Sequence, residues 1–364
     1  MIIFLLILLS LIIIVVVFIN QPKFGKLPSG ERLATIKKSP NYKNGAFQNI
    51  NNTPSLAEGE TYYKVLKTYL FADKSKAKPT KVLPAVKTDL LQLDKSRDVL
   101  VWFGHSSYFL QVDGKRILVD PVLSGSASPI PGGTKSFEGS DIYTADDLPP
   151  IDYLFITHDH WDHLDYKTIL ALKEKVTTVI CGLGTGAHLE YWGYNKKCII
   201  EKDWNETFDL DEGFEVNTVP ARHFAGRSFW RNKAIWMSYV LKTPAYNFFI
   251  GGDSGYDTHF ADIGEKFGPF DLAILENGQY NYSWKYIHMM PGEHLQAALD
   301  LRAKKLLPVH SSKFNLSLHA WDEPLKNITR NNDTGVEIIT PMIGEPVWLD
   351  VASQTFKKWW EDVR

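Results

Sequence analysis

The chain of 364 residues is poor in cysteine, balanced in charge and free of long repeats, and each shortage removes a class of protein. Two cysteines, Cys181 and Cys198, cannot build a disulfide framework and match no closely spaced thiol motif. A single bridge between them stays open, and so few thiols do not report the compartment. Lysine and arginine number 40 against 42 aspartates and glutamates, a formal net charge of −2. That excludes nucleic-acid binding through bulk charge, though not through a local basic patch. No self-similarity at a period of about 20–50 residues is evident, which excludes a solenoid or a propeller. Hydrophobic residues at 44% and charged residues at 23% are ordinary for a globular chain, long enough for one large domain or two smaller ones.

The N-terminus also lacks something. MIIFLLILLSLIIIVVVFIN has one polar residue, Ser10, between Met1 and Ile19, with no Lys or Arg ahead of the apolar run and no Ala-x-Ala-like site after it. A cleaved secretory signal normally has both. At ~1.5 Å per residue the run is long enough to cross a ~30 Å hydrocarbon core. It reads as an uncleaved transmembrane anchor. Lys23, Lys26, Arg32, Lys37 and Lys38 all follow the span, which places the domain behind it in the cytoplasm by the positive-inside tendency.

Residues 1–20 are therefore assigned as the anchor, 21–97 as a linker and N-terminal extension that wraps the main domain, and 98–364 as that domain. Within the extension, GAFQNINNTPSL reads as a loop, TYYKVLKTYLF as a short amphipathic helix and KAKPTKVLPAV as extended chain. From Val99 the texture changes. DVLVWF, YFLQV and RILVD are short β-rich runs, and the Asp-Gly between the last two signals a hairpin. Strands such as IDYLFIT, TVICG, FEVNTVPA, AIWMSYVLK, YNFFIGGD, DLAILENG and LLPVH follow, with helices over YKTILALKEK and GEHLQAALDLRAKK. Hairpins early and strand–helix alternation later predict two packed sheets with helices outside, an α/β sandwich rather than a doubly wound sheet.

Against this ordinary background THDHWDHLD stands out. His158, His160, Asp162 and His163 form H-x-H-x-D-H in a loop between a strand and a helix, where several side chains can be aimed at one point. A solvated charge run is the plain alternative, but these spacings give no useful i,i+4 pairing. Neutral imidazole and carboxylate suit Zn²⁺ and its first-row neighbours. One ion rarely takes four ligands from six consecutive residues. Two ions can share them, His158 and His160 on one, Asp162 and His163 on the other. Further ligands are sought at other strand ends: His223 for the first ion, His310 for the second, and Asp253 as a bridge, where Gly251 and Gly252 let the backbone approach. A lone histidine at a strand end is more often structural, so His223 and His310 draw their weight from the loop they would join.

This combination resembles the metallo-β-lactamase fold superfamily over roughly Val99 to Asp350. The resemblance implies a four-layer αββα sandwich, here preceded by an N-terminal transmembrane helix, with a two-metal site at one edge of the sheets. It also matches Asp120 to a family aspartate that supports the metal loop without binding metal. VWFGHSSYFLQVDGKRILVDPVLS, GGDSGYDTHFADIGEKFGPFDLAILENGQY and KYIHMMPGEHLQAALDLRAKKLLPVH resemble N-acyl phosphatidylethanolamine phospholipase D and its bacterial relatives. That branch implies hydrolysis of a phosphodiester or related ester by a metal-activated water. His163 departs from class B β-lactamases, and His160 from the flavodiiron proteins.

The implied centre holds two divalent ions, Zn²⁺ first and Mn²⁺ or Fe²⁺ as alternatives. Asp253 bridges them, Asp162 orients the attacking water, and His288 protonates the leaving group or holds the substrate, unless it is a surface residue before the helix. His105 is expected to support the site by hydrogen bonding. His188, His259, His294 and His319 carry no pattern that earns a role. Substrate choice is expected from two variable segments, Ile130–Leu148 and Gln279–Tyr286. The expected partners are a membrane and a phospholipid or small ester, with no nucleic acid; oligomeric state is not legible. Two other functions remain open: a lactonase, similar to sugar-phosphate lactonases, and a non-catalytic metal-binding protein. A reporter fused to the C-terminus is expected to be active on the cytoplasmic side; activity confined to the opposite side reverses the orientation.

Overall fold

The computed structural model describes residues 1–330 and 332–363. Asn331 and Arg364, the last residue of the domain assigned from sequence, lie outside the described residues. The chain begins with α1 (Ile2–Ile19), an apolar helix none of whose residues is buried and which is long enough to cross a membrane. The extension then forms α2 (Gly30–Ile36), a two-residue ribbon of β1 (Tyr42–Lys43) and β2 (Ala46–Phe47), and α3 (Tyr62–Phe71). The second strand of the ribbon falls inside the stretch expected to be loop.

Two seven-stranded sheets follow. The first takes β3 (Val99–Trp102), β4 (Tyr108–Val112), β5 (Lys115–Val119) and β6 (Ile151–Ile156), then α4 (Tyr166–Leu172), β7 (Val176–Gly182), α5 (Gly186–Tyr191) and β8 (Ile199–Lys202). The second takes β9 (Thr207–Asp211), β10 (Phe214–Val219), β11 (Ser238–Lys242) and β12 (Asn247–Ile250), then α6 (His259–Phe267), β13 (Leu272–Glu276), α7 (Glu293–Asp300), β14 (Lys305–Val309), α8 (Glu323–Arg330) and β15 (Glu337–Ile338). The chain then returns to the first sheet as β16 (Pro346–Trp348), antiparallel to β3. β11 is shorter than the expected AIWMSYVLK because the hydrogen-bonded ladder to β10 and β12 starts only at Ser238.

The period of two along each strand sorts side chains into layers. On β3, Leu100 and Trp102 point between the sheets, whereas Val99 and Val101 point outward. The inter-sheet core joins Leu100, Trp102 and Phe155 of the first sheet to Tyr239, Phe248 and Ile274 of the second. The outward face of the first sheet packs on Ile169 and Leu172 of α4 and Leu189 of α5. That of the second packs on Phe260 and Ile263 of α6 and on Leu295 and Ala298 of α7. Helix, sheet, sheet, helix is the αββα order.

The extension is more than a tether. Ile36, Phe47 and Leu83 are buried in the inter-sheet core itself, and Phe47 N donates to Asn232 O at 2.9 Å. Phe47→Ala is expected to cost about 3–5 kcal/mol of stability, as for other buried aromatics. Tyr63→Ala, at a position 73% exposed, should stay within about 0.5 kcal/mol. Thermal melts of both variants check this.

Candidate metal centre

The strands deliver their C-terminal ends to one edge of the sandwich. Beyond β5 lies Asp120, beyond β6 the loop from Thr157 to Asp165, beyond β10 His223, beyond β12 Asp253 and beyond β14 His310. All seven residues expected as metal ligands come together there. His158, His160, His223 and Asp253 form one group whose donor atoms lie within 4.8 Å of one another. Asp162, His163 and His310, joined by His105, form a second, and Asp253 reaches His310 and His288 in a third.

Local chemistry explains the convergence. Asp120 carboxylate accepts from Thr157 N at 2.8 Å, Thr157 Oγ1 at 2.6 Å and His163 Nδ1 at 2.8 Å. One buried carboxylate thus fixes both the start of the metal loop and the orientation of the His163 ring, with Nε2 turned to the centre and carrying a lone pair whenever the ring is neutral. His223 Nδ1 likewise donates to Ile287 O at 2.8 Å, which leaves its Nε2 lone pair facing His160. Asp165 ends the loop by capping α4 through Lys167 N. At Gly252, with φ +62°, a Cβ would lie 2.8 Å from Thr157 Cβ, so only glycine lets the Asp253 turn sit against the loop.

The GHSS turn supplies support. His105 Nε2 meets Asp162 Oδ2 at 2.9 Å, and Ser106 Oγ meets His310 Nδ1 at 2.9 Å. His105 N donates to Ser311 O and His310 N to His105 O, zipping the two turns together. Beneath them the buried Lys313 ammonium donates to Val122 O at 2.9 Å and pairs with Asp141 at 3.0 Å. His105, Asp120, Gln279, His310 and Ser312 all have positive φ. Each such non-glycine residue costs of order 1 kcal/mol, and they gather around this one site.

Electrostatically the centre attracts positive charge. Burial alone would raise Asp253, yet His163 and His310 hold its carboxyl well below the usual range. Asp162 is also held well below, by His163 and His105 against its burial. Burial pushes His158, His223 and His310 well below the ordinary imidazole range. His163 goes the other way: Asp253, Asp162 and Asp120 overcome its burial and raise it well above. His163 Nε2, His310 Nε2 and Asp253 Oδ1 are buried without a hydrogen bond among the described residues. Converging imidazole lone pairs, buried carboxylates and unpartnered donors of this kind fit divalent first-row cations.

Glu276, the last residue of β13, was not anticipated from the sequence. It accepts from Met289 N and from His288 Nδ1, the latter at 2.9 Å. Burial pushes it up to about 7, and its carboxylate raises His288 against that residue's own burial. Like Asp253 and His310 it stands at the end of an apolar strand, but a lone glutamate there is too common to single out from sequence. The centre opens into a cavity of about 300 Å³ lined by His160, Asp162, His288, Arg231, Gln279 and Trp284, with Leu56, Tyr62 and Val65 of the extension as one wall. Only one of the two variable segments lines it. Ile130 instead borders a separate pocket with Lys23 and Trp161, because the turn after β5 carries that loop to the far side of the metal loop.

The order of elements, the layers and the strand-end site define a metallo-β-lactamase sandwich. The Beta-lactamase superfamily domain matches residues 115–311, and the chain belongs to that superfamily. An uncharacterised protein of Mycobacterium tuberculosis is 37% identical over 320 residues, covering 86% of this chain and 86% of its own. The N-acyl-phosphatidylethanolamine-hydrolyzing phospholipase D 1 of Caenorhabditis elegans is 29% identical over 227 residues, 57% of this chain and 62% of its own. In structure, the metallo hydrolase Igni18 of Ignicoccus hospitalis superposes with a TM-score of 0.53 at 20% identity, over 69% of this chain and 97% of that one, a likeness of fold.

The remaining histidines lie outside the ligand groups. His188 meets Asp159, His259 meets Ser254, and His319 accepts from Gln279 N; both cysteines are free. His294 is buried in α7, and burial pushes its imidazole down to about 3. The unfolded chain, with an ordinary histidine, takes up a proton first as pH falls. His294 therefore favours the fold fully above about pH 6.5, and that contribution is lost as pH falls towards 3. By pH 5 the loss is about 2 kcal/mol. The stability gap between the natural protein and His294→Gln should narrow by about that amount from pH 8 to pH 5 in denaturant melts.

Proposed function

We propose that this protein is a metal-dependent hydrolase, anchored in a membrane by α1, that cleaves a phosphodiester of a phospholipid. The observation that carries this is the sharing of Asp253 between the ligand groups at the floor of a greasy groove. In this reading His158, His160 and His223 would hold one cation, Asp162, His163 and His310 the other, and Asp253 would be shared between them. Zn²⁺ suits the donor set best, with Mn²⁺ and Fe²⁺ as alternatives. When bound, such a pair supplies Lewis acidity and a water with its pKa lowered towards ~7.

The chain's own groups do the rest. Asp162, which lines the groove, would accept a hydrogen bond from the attacking water and orient it. Arg231, a permanent cation in the groove wall, matches a phosphate better than a neutral lactone. Phe224, Trp284, Ile287 and Leu316 offer apolar surface to the glycerol and acyl parts of a lipid. His288 has its Nδ1 tied to Glu276, so Nε2 is the nitrogen free to protonate the leaving oxygen, and Glu276 is the positioning residue behind it. Asp120 and His105 hold the ligands in place. The likeness to the N-acyl-phosphatidylethanolamine-hydrolyzing phospholipase D 1 of Caenorhabditis elegans lends the substrate class its support.

Purified full-length protein, assayed on panels of phospholipids and lactones, is expected to turn over the phospholipids. Turnover of lactones alone would replace this reading with a lactonase, and inert protein with two bound cations would make it a binding protein. Asp253→Ala should lose both metal content and hydrolysis. His288→Ala should keep its metal and lose turnover by about 10²–10⁴-fold; unchanged turnover makes His288 structural.

A further inference from the structure

α3 buries none of its residues. Tyr62, Tyr63, Leu66, Leu70 and Phe71 are each more than half exposed. Tyr62, Val65, Leu66, Tyr69 and Leu70 fall on one helical face, with Lys64 and Lys67 on the other. Tyr62 and Val65 also line the groove, so the bare face of α3 continues into the wall of the site. Across the groove, Phe224 and Arg231 belong to a turn whose tip exposes Phe229 (74%) and Trp230 (61%). Two exposed aromatic patches therefore flank one mouth, and water is a poor solvent for both.

The same turn is tied to the exit of α1. Arg227, at its start, donates to Lys23 O at 2.9 Å, and to Asp159 O at 2.9 Å and Leu164 O at 2.6 Å in the metal loop. Its guanidinium stacks on Trp161 at 3.9 Å, and Phe24 meets the same indole at 5.1 Å. Trp192 Nε1 donates to Pro22 O, and Lys26 N to His188 Nδ1. Gly25, with φ +75°, is where the exit segment presses on the His188 ring, and a Cβ there would collide with it. Only Asn20 and Gln21 separate Ile19 from the first of these ties, a reach of roughly 10 Å from Ile19 to Pro22.

We infer that α3 and the Phe229–Trp230 turn are an interfacial docking surface that seats the mouth of the groove on the bilayer crossed by α1, so that a lipid enters the site directly from the membrane. The inference rests on α1 being a membrane span. Lys64 and Lys67, on α3 beside its apolar face, select a surface carrying anionic headgroups.

The test uses the full chain with Cys198→Ser, leaving the buried Cys181, in vesicles of phosphatidylethanolamine and phosphatidylglycerol. Single cysteines at Tyr63, Leu70, Trp230 and Ile12, and at Leu299 on α7 as a reference, carry a polarity-sensitive fluorophore, and brominated lipids serve as quenchers. Probes at 63, 70 and 230 should lose emission most to lipids brominated high in the acyl chain, about 5–10 Å below the headgroups. The probe at 12 should lose most to lipids brominated near the chain ends, and that at 299 should lose none. Quenching at 12 without quenching at 63, 70 and 230 overturns the docking while leaving the anchor. Loss of quenching at 12 as well overturns the anchor and the docking together.

Discussion

Two buried carboxylates, Asp162 and Asp253, set the terms for the rest of the molecule. Among the described residues their ion-pair partners are histidines alone. Charge removed from water must be compensated on the spot or neutralised. Lysine or arginine would satisfy it and leave an inert core. Imidazoles, most of them held neutral by burial, leave a deficit of positive charge of the kind that bound metal fills. The architecture reflects that demand: every group involved sits just beyond the C-terminal end of a strand, where a rigid sheet supports a short loop.

Around those carboxylates, support is organised in shells with distinct tasks. Asp120 sets the orientation of the His163 ring and the start of the loop. The zipped turns at His105 and His310 set distance, and their left-handed backbones are held by the surrounding hydrogen bonds rather than by local preference. Lys313 underpins both turns from below. Glu276 works on His288 rather than on the residues of the metal loop. Asp120 and Glu276, two different carboxylates, thus hold different parts of the centre.

What the sequence made legible follows from the range of each interaction. H-x-H-x-D-H is local, so its meaning survives without a fold. His223, Asp253 and His310 were legible through a shared position after apolar strands, and the αββα order through hairpins followed by strand–helix alternation. Glu276 was missed because a glutamate ending a strand is ordinary until His288 is seen 2.9 Å away. Lys313 and Arg227 were missed for the same reason: a buried cation is recognisable only by the distant carbonyls it bonds. The groove wall was misassigned in part. The Ile130 loop looked variable and near the site in sequence, whereas Tyr62 and Val65 reach the site from a stretch read as a linker.

That N-terminal stretch has a consequence for biogenesis. Phe47 bonds to Asn232, Val86 to Ile343 and Thr80 to Val363, so these residues find partners that are synthesised long after them. Contacts of such long sequence separation close late. Until the second sheet is synthesised, Ile36, Phe47 and Leu83 have no cavity to fill. The arm must wait in an open state until its berth is complete.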